Sequence, residues 1–350
     1  KINTLSTQCE EEQIMTTGEK IAQPVLVTGA TGFIGSRVVH KLLQDGVTVK
    51  ILALPGETVP VDWAEKVEIV RGSISDPQAV EKAATGAKTI IHLVAIVTDW
   101  GDEKKYWEFT VEGSRLIFEE AVKNNARVML ASSIAVYGDK IHSQSCPEET
   151  AFGVTLGPYS RTKQAQEKLA WDYYKNKNMR LTVVRPANVY GPRSGPWLHD
   201  VINVLRSGSP GLISGGNMNA GLAYVDNVAD ILILAATEDI AIGRVYNASD
   251  GLDVTWKRYF SDIAAMIGVK SPKSIPYPVA ASGAVLLEWI WKFLGIQKRP
   301  LITREALNLI GSDNRIPNDR VRRELNYIPR ISYAEGLQRT REYINREFTK

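Results

Sequence analysis

The chain has 350 residues, of which 44% are hydrophobic and 23% are charged, as in an ordinary globular protein. Its formal net charge of +3 is too small to indicate a nucleic-acid partner. Two cysteines cannot form a disulfide framework, and the four histidines stand at no ligand-like interval. We therefore expect a reducing, cytoplasmic setting and no metal site. The polar residues 1–20 predict an N-terminal extension and not a signal peptide.

Strand and helix patterns alternate through the first half of the chain. Short apolar runs predict strands at residues 24–28, 47–54, 67–70, 89–94, 127–131 and 181–185. Apolar residues recur at helical spacing between them, at 33–43, from 76 onward, at 103–124 and at 160–175. This alternation predicts an α/β fold, a Rossmann-type doubly wound parallel sheet, with a nucleotide-binding domain at residues 21–190.

The pattern changes after about Tyr190, where glycine and proline interrupt the chain repeatedly. Helical spacing returns at residues 227–236, 256–266, 303–309 and 333–347. Ligands of open α/β sheets bind beyond the carboxyl ends of the strands. We therefore expect residues 191–350 to form a smaller C-terminal substrate-binding region, with some segments returning to the sheet.

Residues 279–296 form a mostly apolar segment that contains Trp289, Trp291 and Phe293. Glu288 and Lys292 interrupt it, and it is too short and too charged for a membrane-spanning helix. The pattern favours a buried or pocket-lining helix. The alternative is an interfacial helix that contacts a membrane peripherally.

Three glycines, Gly29, Gly32 and Gly35, lie between the first predicted strand and the first predicted helix. The first permits a tight exit from the strand, the second lets a diphosphate approach the backbone, and the third allows close helix packing. The helix N-terminus offers free amides and a positive dipole end to phosphates. This arrangement predicts a dinucleotide-binding loop.

The second strand indicates which dinucleotide binds. NAD-binding proteins usually have an acidic residue at its end, and residues 50–55 contain none. The missing acid favours NADP, with NAD as the alternative. Arg37 on the first helix is the one basic residue placed to reach a 2′-phosphate.

Tyr159 and Lys163 stand one helical turn apart, on the same face of a predicted helix. A neighbouring ammonium lowers the pKa of a phenol, which makes the tyrosine a usable acid or base. Ser132 and Ser133 follow the fifth predicted strand, where a hydroxyl projects at the edge that receives substrate. Together with the glycine loop, these residues predict hydride-transfer chemistry with a tyrosine as proton carrier.

These motifs resemble those of the extended short-chain dehydrogenases/reductases of the NAD-dependent epimerase/dehydratase type. The similar blocks are Thr28–Gly35, His92–Ala95, Ser132–Gly138, Tyr159–Lys163 and Arg185–Pro192. The resemblance implies that Ser133 is the catalytic serine, Tyr159 the acid/base and Lys163 its partner. It also implies a homodimer formed through helices of the sheet domain.

The predicted cofactor contacts combine the loop, the helix N-terminus and the positions that the resemblance implies. They are Gly29, Thr31, Gly32, Phe33, Ile34, Gly35, Arg37, Ser73, Ile74, Leu93, Ala95, Tyr159, Lys163, Pro186 and Val189. Two positions depart from the family pattern. Ser73 stands where an aspartate is common, and Thr110 stands where an asparagine is common.

The substrate class follows from what the C-terminal half contains and what it lacks. Nucleotide-sugar enzymes of this superfamily place cations on a diphosphate, and residues 219–228 contain no basic residue. The blocks Val225–Asp230, Tyr246–Gly251 and Asp319–Tyr327, with the apolar segment, are most similar to 3β-hydroxysteroid dehydrogenase and dihydroflavonol reductase-like enzymes. We expect interconversion of a secondary alcohol and a ketone on a bulky hydrophobic (sterol-, terpenoid- or polyketide-like) substrate. The alternatives are a nucleotide-sugar epimerase/dehydratase and a non-catalytic NAD(P)-sensing or scaffold protein.

Overall fold

A computed structural model describes residues 17–63 and 65–348. The strands are β1 Val25–Thr28, β2 Val49–Ala53, β3 Val67–Arg71, β4 Thr89–His92, β5 Arg127–Ala131, β6 Arg180–Pro186, β7 Asn188–Tyr190, β8 Leu212–Ile213, β9 Leu222–Tyr224, β10 Val245–Ala248 and β11 Ser274–Ile275. The helices are α1 Thr17–Lys20, α2 Phe33–Gln44, α3 Pro77–Ala84, α4 Glu103–Tyr106, α5 Gly113–Lys123, α6 Lys140–Ser143, α7 Pro158–Lys177, α8 Asp200–Ser207, α9 Val225–Thr237, α10 Trp256–Met266, α11 Tyr277–Phe293, α12 Arg304–Ile310, α13 Asp319–Leu325 and α14 Tyr333–Phe348.

Seven parallel strands form the main sheet in the order β10-β6-β5-β4-β1-β2-β3. The predicted α/β Rossmann-type fold is therefore confirmed. From β1 the chain adds β2 and β3 on one side of the sheet, and then β4, β5 and β6 on the other side. This switch in strand order lies between β1 and β4, whose last residues, Thr28 and His92, are register partners. That switch opens a crevice at the carboxyl edge, where dinucleotides bind in such sheets. Strands β1, β2, β4 and β5 are buried along their whole length, which explains their mostly apolar sequences.

The C-terminal half contributes to this sheet as well as extending beyond it. Strand β10 pairs with β6 at the edge of the sheet, and α9 packs against α2 and the sheet. Two short parallel pairs, β7 with β9 and β8 with β11, lie outside the main sheet. The division at residue 190 stays a prediction, and the predicted extension 1–20 lies mostly outside the described residues.

Helix α11 contains most of the apolar segment, and most of its surface is not buried. Only Ala280, Ala284 and Glu288 are buried along its length. Trp289 and Phe293 are 64% and 78% exposed. The prediction of a buried helix is wrong, because α11 packs on the rest of the protein through a narrow stripe; the alternative of a pocket-lining helix agrees with Trp291 and Lys292, which line a cavity. No helix in the described parts of the chain has the length and hydropathy needed to cross a bilayer.

A buried ion pair joins α7 to the centre of the sheet. The Arg185 guanidinium at the end of β6 contacts both carboxylate oxygens of Glu167, at 2.5 and 3.2 Å. Ser132 donates a hydrogen bond of 2.6 Å to the same carboxylate. Arg185 also donates to the Tyr137 hydroxyl at 3.0 Å. Because Ser132 precedes Ser133, this pair positions the residues around the predicted site.

We expect Arg185→Met to lower the free energy of unfolding by about 3–5 kcal/mol, because it leaves the Glu167 carboxylate buried without its partner. Chemical denaturation would measure the loss. The control is Arg115→Met, since Arg115 pairs with Glu112 and Glu119 on the surface and should cost less than about 1 kcal/mol. Equal losses in the two variants would contradict this account.

Candidate functional site

The glycine loop has the geometry of a phosphate-binding turn. Gly29 adopts φ +68°, and a side chain there would meet the Leu93 carbonyl carbon at 3.3 Å. Gly32 caps α2 without a side-chain hydrogen bond, so the first amides of the helix are open. A Cβ on Gly35 would overlap the Gly29 carbonyl oxygen. The loop therefore fits a dinucleotide diphosphate at the helix N-terminus.

The other predicted cofactor positions lie along the same edge of the sheet. Ser73 and Ile74 follow β3, and the Ser73 hydroxyl is 2.9 Å from that of Ser75. Leu93 follows β4, and its N–H donates to the Thr28 hydroxyl at 3.2 Å. Three more predicted positions are also found near strand ends. Ala95 lies beyond β4, Pro186 ends β6 and Val189 lies in β7. Ser73, Ile74, Leu93, Ala95 and Pro186 therefore end or follow strands of the main sheet, whereas Val189 lies in a strand outside it.

Sequence reasoning missed Glu57, which supplies a carboxylate at the end of β2. Its side chain accepts a hydrogen bond from the Leu54 N–H at 2.9 Å and another from the Thr31 hydroxyl. A turn through Gly56, at φ +77°, folds the chain back so that Glu57 reaches this position. The strand end therefore has an acid after all, supplied by the following turn. A search for acids a few residues beyond the strand would have found it.

Arg37, the predicted 2′-phosphate contact, is paired with another group. Its guanidinium binds the Asp226 carboxylate on α9, which is almost fully buried. Arg339 on α14 lies 3.4 Å from the same carboxylate. Arg37 therefore links α2 to α9 in this structure.

Ser133 and Tyr159 meet at the carboxyl edge of the sheet. The Ser133 hydroxyl caps the turn after β5 by accepting from the Ala135 N–H at 3.1 Å. Tyr159 is the second residue of α7. Burial raises the pKa of Tyr159 to about 12, although its hydrogen bond with Ser133 lowers it. The expectation that Lys163 brings this pKa toward neutrality is wrong for this structure, because burial outweighs the lowering contributions.

Lys163 is buried and bonded to uncharged groups. Its ammonium donates to the Ala131 carbonyl at 2.7 Å and to the Gln166 side chain at 2.9 Å. Burial lowers the pKa of Lys163 to about 7, and the nearby Glu167 opposes that shift. Gln166 was not predicted, although it stands three residues after Lys163 on the same helix. The bond to Ala131 therefore holds Lys163 against the end of β5, two residues before Ser133.

A buried hydrogen-bond chain continues from Gln166 across the sheet. Gln166 donates to the Ser114 hydroxyl at 2.7 Å, which is 2.8 Å from His92 Nε2. His92 Nδ1 is 2.6 Å from the Thr28 hydroxyl. Burial lowers the pKa of His92 to about 3, so the imidazole is neutral at ordinary pH. This series of hydrogen bonds joins Lys163 to Thr28 at the end of β1 through neutral groups.

Thr110 occupies the family's asparagine position within a π-helical segment, Trp107–Glu112. Its hydroxyl accepts from the Ile96 N–H at 3.3 Å, and its carbonyl accepts from the Ser114 hydroxyl at 2.5 Å. Thr110 thus contributes to the buried hydrogen-bond series only indirectly, by bonding Ser114.

A cavity of about 240 Å³ opens beside the start of α7. Its lining mixes aromatic with charged groups. Among the lining residues are Trp100, Leu156, Arg161, Trp291, Lys292 and Arg304. The cavity adjoins the helix that carries Tyr159, and its lining includes charged groups, although we expect a hydrophobic substrate.

A parallel Rossmann sheet with a phosphate-binding glycine loop, a serine after β5 and a Tyr-x-x-x-Lys helix defines an NAD(P)-dependent enzyme of the extended short-chain dehydrogenase/reductase type. Residues 25–249 match the model of the NAD dependent epimerase/dehydratase family. The chain belongs to that family.

Three relatives share about a quarter of their sequence with this chain. The 4-hydroxy-2-methyl-3-oxo-4-farnesyl-3,4-dihydroquinoline-1-oxide ketoreductase of Stigmatella aurantiaca is 24% identical, over 90% of this chain and 95% of the relative. The mouse sterol-4-alpha-carboxylate 3-dehydrogenase (decarboxylating) is 24% identical, over 91% and 90%. The N-acetyl-alpha-D-glucosaminyl-diphospho-ditrans,octacis-undecaprenol 4-epimerase of Escherichia coli O157:H7 is 25% identical, over 91% and 94%.

A solved structure confirms the fold. The dTDP-glucose 4,6-dehydratase DesIV of Streptomyces venezuelae, solved with NAD bound, superposes with a TM-score of 0.73 at 24% identity. The match covers 92% of this chain and 97% of that one. The likeness bears on the fold, which this chain shares with a sugar-modifying enzyme.

Proposed function

We propose that this protein interconverts a secondary alcohol and a ketone on a bulky hydrophobic substrate, with Tyr159 as the acid/base. The observation that supports this proposal best is the contact of Tyr159 with Ser133 at the carboxyl edge, beside the phosphate-binding loop. The bound nicotinamide cofactor supplies or accepts the hydride. Ser133 hydrogen-bonds the substrate oxygen, and Tyr159 gives a proton to that oxygen or takes one from it.

The pKa of Tyr159 bears on the direction of the reaction. At about 12 the phenol keeps its proton at neutral pH, as an acid needs to do in ketone reduction. Alcohol oxidation requires the phenolate, which becomes more populated as the pH rises. We therefore propose that reduction dominates near neutrality and that oxidation accelerates in alkali.

The hydrophobic substrate is supported by two observations. Residues 219–228 contain no cation for a diphosphate. The names of two relatives include a farnesyl group and a sterol, whereas the undecaprenol relative is named as a 4-epimerase of a glucosaminyl diphosphate. The second candidate is nucleotide-sugar chemistry, which Lys292 in the cavity favours, whereas Arg161 and Arg304 are paired with carboxylates.

Tyr159→Phe should lower turnover by roughly 10²- to 10⁴-fold, because the proton carrier is lost while the ring remains. Turnover would be followed by NAD(P)H absorbance with a panel of hydrophobic ketones and nucleotide sugars. NAD(P)H binding, measured by fluorescence, should persist.

The matched control is Tyr173→Phe on the same helix, whose hydroxyl contacts Glu119 on the surface. Its turnover should equal that of the wild type. Full turnover in Tyr159→Phe would contradict the role of Tyr159 as acid/base, whereas turnover of no panel compound by the wild type would favour the sensor or scaffold alternative. Turnover of nucleotide sugars alone would favour the epimerase/dehydratase alternative.

We further propose NAD as the preferred cofactor, in place of the NADP that the sequence favoured. The Glu57 carboxylate reaches Thr31 and Leu54, at the place where an acid binds a ribose 2′-hydroxyl and repels a 2′-phosphate. Arg37, the predicted phosphate contact, is paired with Asp226.

Glu57→Gln should raise the NADP-to-NAD ratio of kcat/KM by on the order of tenfold, because it removes a like charge beside the phosphate. Initial rates with each cofactor would measure this ratio. Glu68→Gln on β3 is the control, since Glu68 pairs with Lys50 away from this turn. A wild type that prefers NADP would contradict the proposal.

We propose that helix α11 contacts an anionic membrane surface peripherally. Its exposed face presents Trp289 and Phe293, with their rings stacked at 5.7 Å. Glu288, its one acidic residue, is buried and paired with Arg304, whereas Lys292 is exposed. An apolar face with aromatic residues and a neighbouring exposed lysine suits lipid headgroups. The cytoplasmic setting and the homodimer remain predictions.

The protein should bind vesicles containing 30% phosphatidylserine (a composition of our choosing), and the double variant Trp289→Ser/Phe293→Ser should lose at least roughly fivefold in affinity. Cosedimentation would measure this. Val61→Ser/Ile328→Ser is the control, because both residues are exposed apolar residues elsewhere on the surface. Equal binding by the two double variants would contradict a membrane role for α11.

A further inference from the structure

Glu305 is a buried carboxyl group that no motif predicted. It lies in the first turn of α12, in the C-terminal half, and is only 5% exposed. One carboxylate oxygen accepts the Ser160 N–H at 2.6 Å. The other oxygen is buried and makes no hydrogen bond in the described structure. A buried carboxyl with half of its hydrogen-bonding capacity unused requires an explanation.

The position of Glu305 at the start of α7 follows from the local sequence there. Gly157, the N-cap of α7, has no side chain to accept from the first amides, and Pro158 has no N–H. Glu305 supplies the missing acceptor from another helix. A Cβ on residue 157 would overlap Glu305 Oε2, so the glycine leaves the space that the carboxyl occupies.

Glu305 is electrostatically coupled to Tyr159, which lies two residues after the N-cap Gly157. A negative charge on Glu305 raises the pKa of Tyr159. Burial in turn raises the pKa of Glu305 to about 7, while its hydrogen bonds with α7 lower it. The two groups therefore influence each other's ionisation across the first turn of the helix.

The other charged and titratable groups around Glu305 are few. Asp99, in the segment after β4, raises the pKa of Glu305, but Asp99 is itself bonded to Arg299 and Thr303. Tyr106 on α4 senses the charge of Glu305 and stays protonated at ordinary pH, because burial raises its pKa. The Arg304 guanidinium bonds Glu288 instead.

We propose that Glu305 is a positioning residue for Tyr159: it holds the first turn of α7 in place, and its protonation sets how readily Tyr159 releases its own proton. This inference rests on the proposed function, in which Tyr159 carries the proton. A protonated Glu305 favours the phenolate needed for alcohol oxidation, and an ionised Glu305 opposes it.

The test compares pH profiles of kcat/KM for alcohol oxidation in the wild type and in Glu305→Gln, which keeps the acceptor for Ser160 but removes the charge. The inflection assigned to Tyr159 should move to lower pH in the variant. At a fixed pH above about 7 and below that inflection, where Glu305 is ionised in the wild type, oxidation should be roughly two- to tenfold faster in the variant. An unchanged profile overturns the electrostatic role.

The control is Asp76→Asn, which makes the same chemical change at the N-cap of α3, where Asp76 accepts from the Gln78 N–H at 3.0 Å. Its profile should not shift.

Glu305→Asp keeps the charge but withdraws the carboxyl from Ser160. It should lower kcat at least threefold with little change in KM, and an unchanged kcat overturns the positioning role.

A second readout does not depend on turnover. Glu305 has a folded-state pKa of about 7 against 4.5 in an unfolded chain, so the folded state binds more protons between those values. Stability from this group is therefore present at low pH and falls as pH rises through about 7. The Tm of the wild type should fall relative to Glu305→Gln between pH 5 and pH 8. Parallel Tm curves overturn the inference, whereas loss of turnover in Tyr159→Phe supports the proposed function independently.

Discussion

The buried ion pair between Glu167 and Arg185 is the interaction on which the candidate site depends most. It joins the middle of α7 to the end of β6, and Ser132 ties the end of β5 to the same carboxylate. Two charges removed from water are tolerated because each finds several partners. Since Ser133 is adjacent to Ser132, and Tyr159 and Lys163 share α7 with Glu167, this single pair sets the distances among the three candidate catalytic residues.

Burial controls the chemistry around that pair. It raises the pKa of Tyr159 to about 12, lowers that of Lys163 to about 7 and keeps His92 neutral. The hydrogen-bond chain from Lys163 to Thr28 consists of groups that carry no charge beyond the lysine. A site in which desolvation outweighs local charges responds strongly to any charge that enters it. The charge of Glu305 raises the pKa of Tyr159 from this starting point.

Much of the architecture follows from local sequence. The apolar runs predicted the strands from β1 to β6, since a strand in a sheet covered on both faces is mostly apolar. Gly29 and Gly35 predicted the turn between β1 and α2, because only glycine fits the backbone conformation and the close approach there. Ser133, Tyr159 and Lys163 were recognisable because short motifs carry them within single elements.

The residues that tune the site were not predictable in the same way. Glu57 reaches Thr31 only because a turn folds back, and Glu305 caps α7 from a helix almost 150 residues further along the chain. The exposure of α11 was equally hidden, because apolar composition does not say which neighbours are close enough to cover a helix. The sequence by itself determined the elements, the loop and the candidate catalytic residues, since these depend on backbone preferences and short-range spacing. Only the tertiary structure decided the pKa values, the capping of α7 and the exposed face of α11, because burial and long-range contacts exist only after the chain has packed.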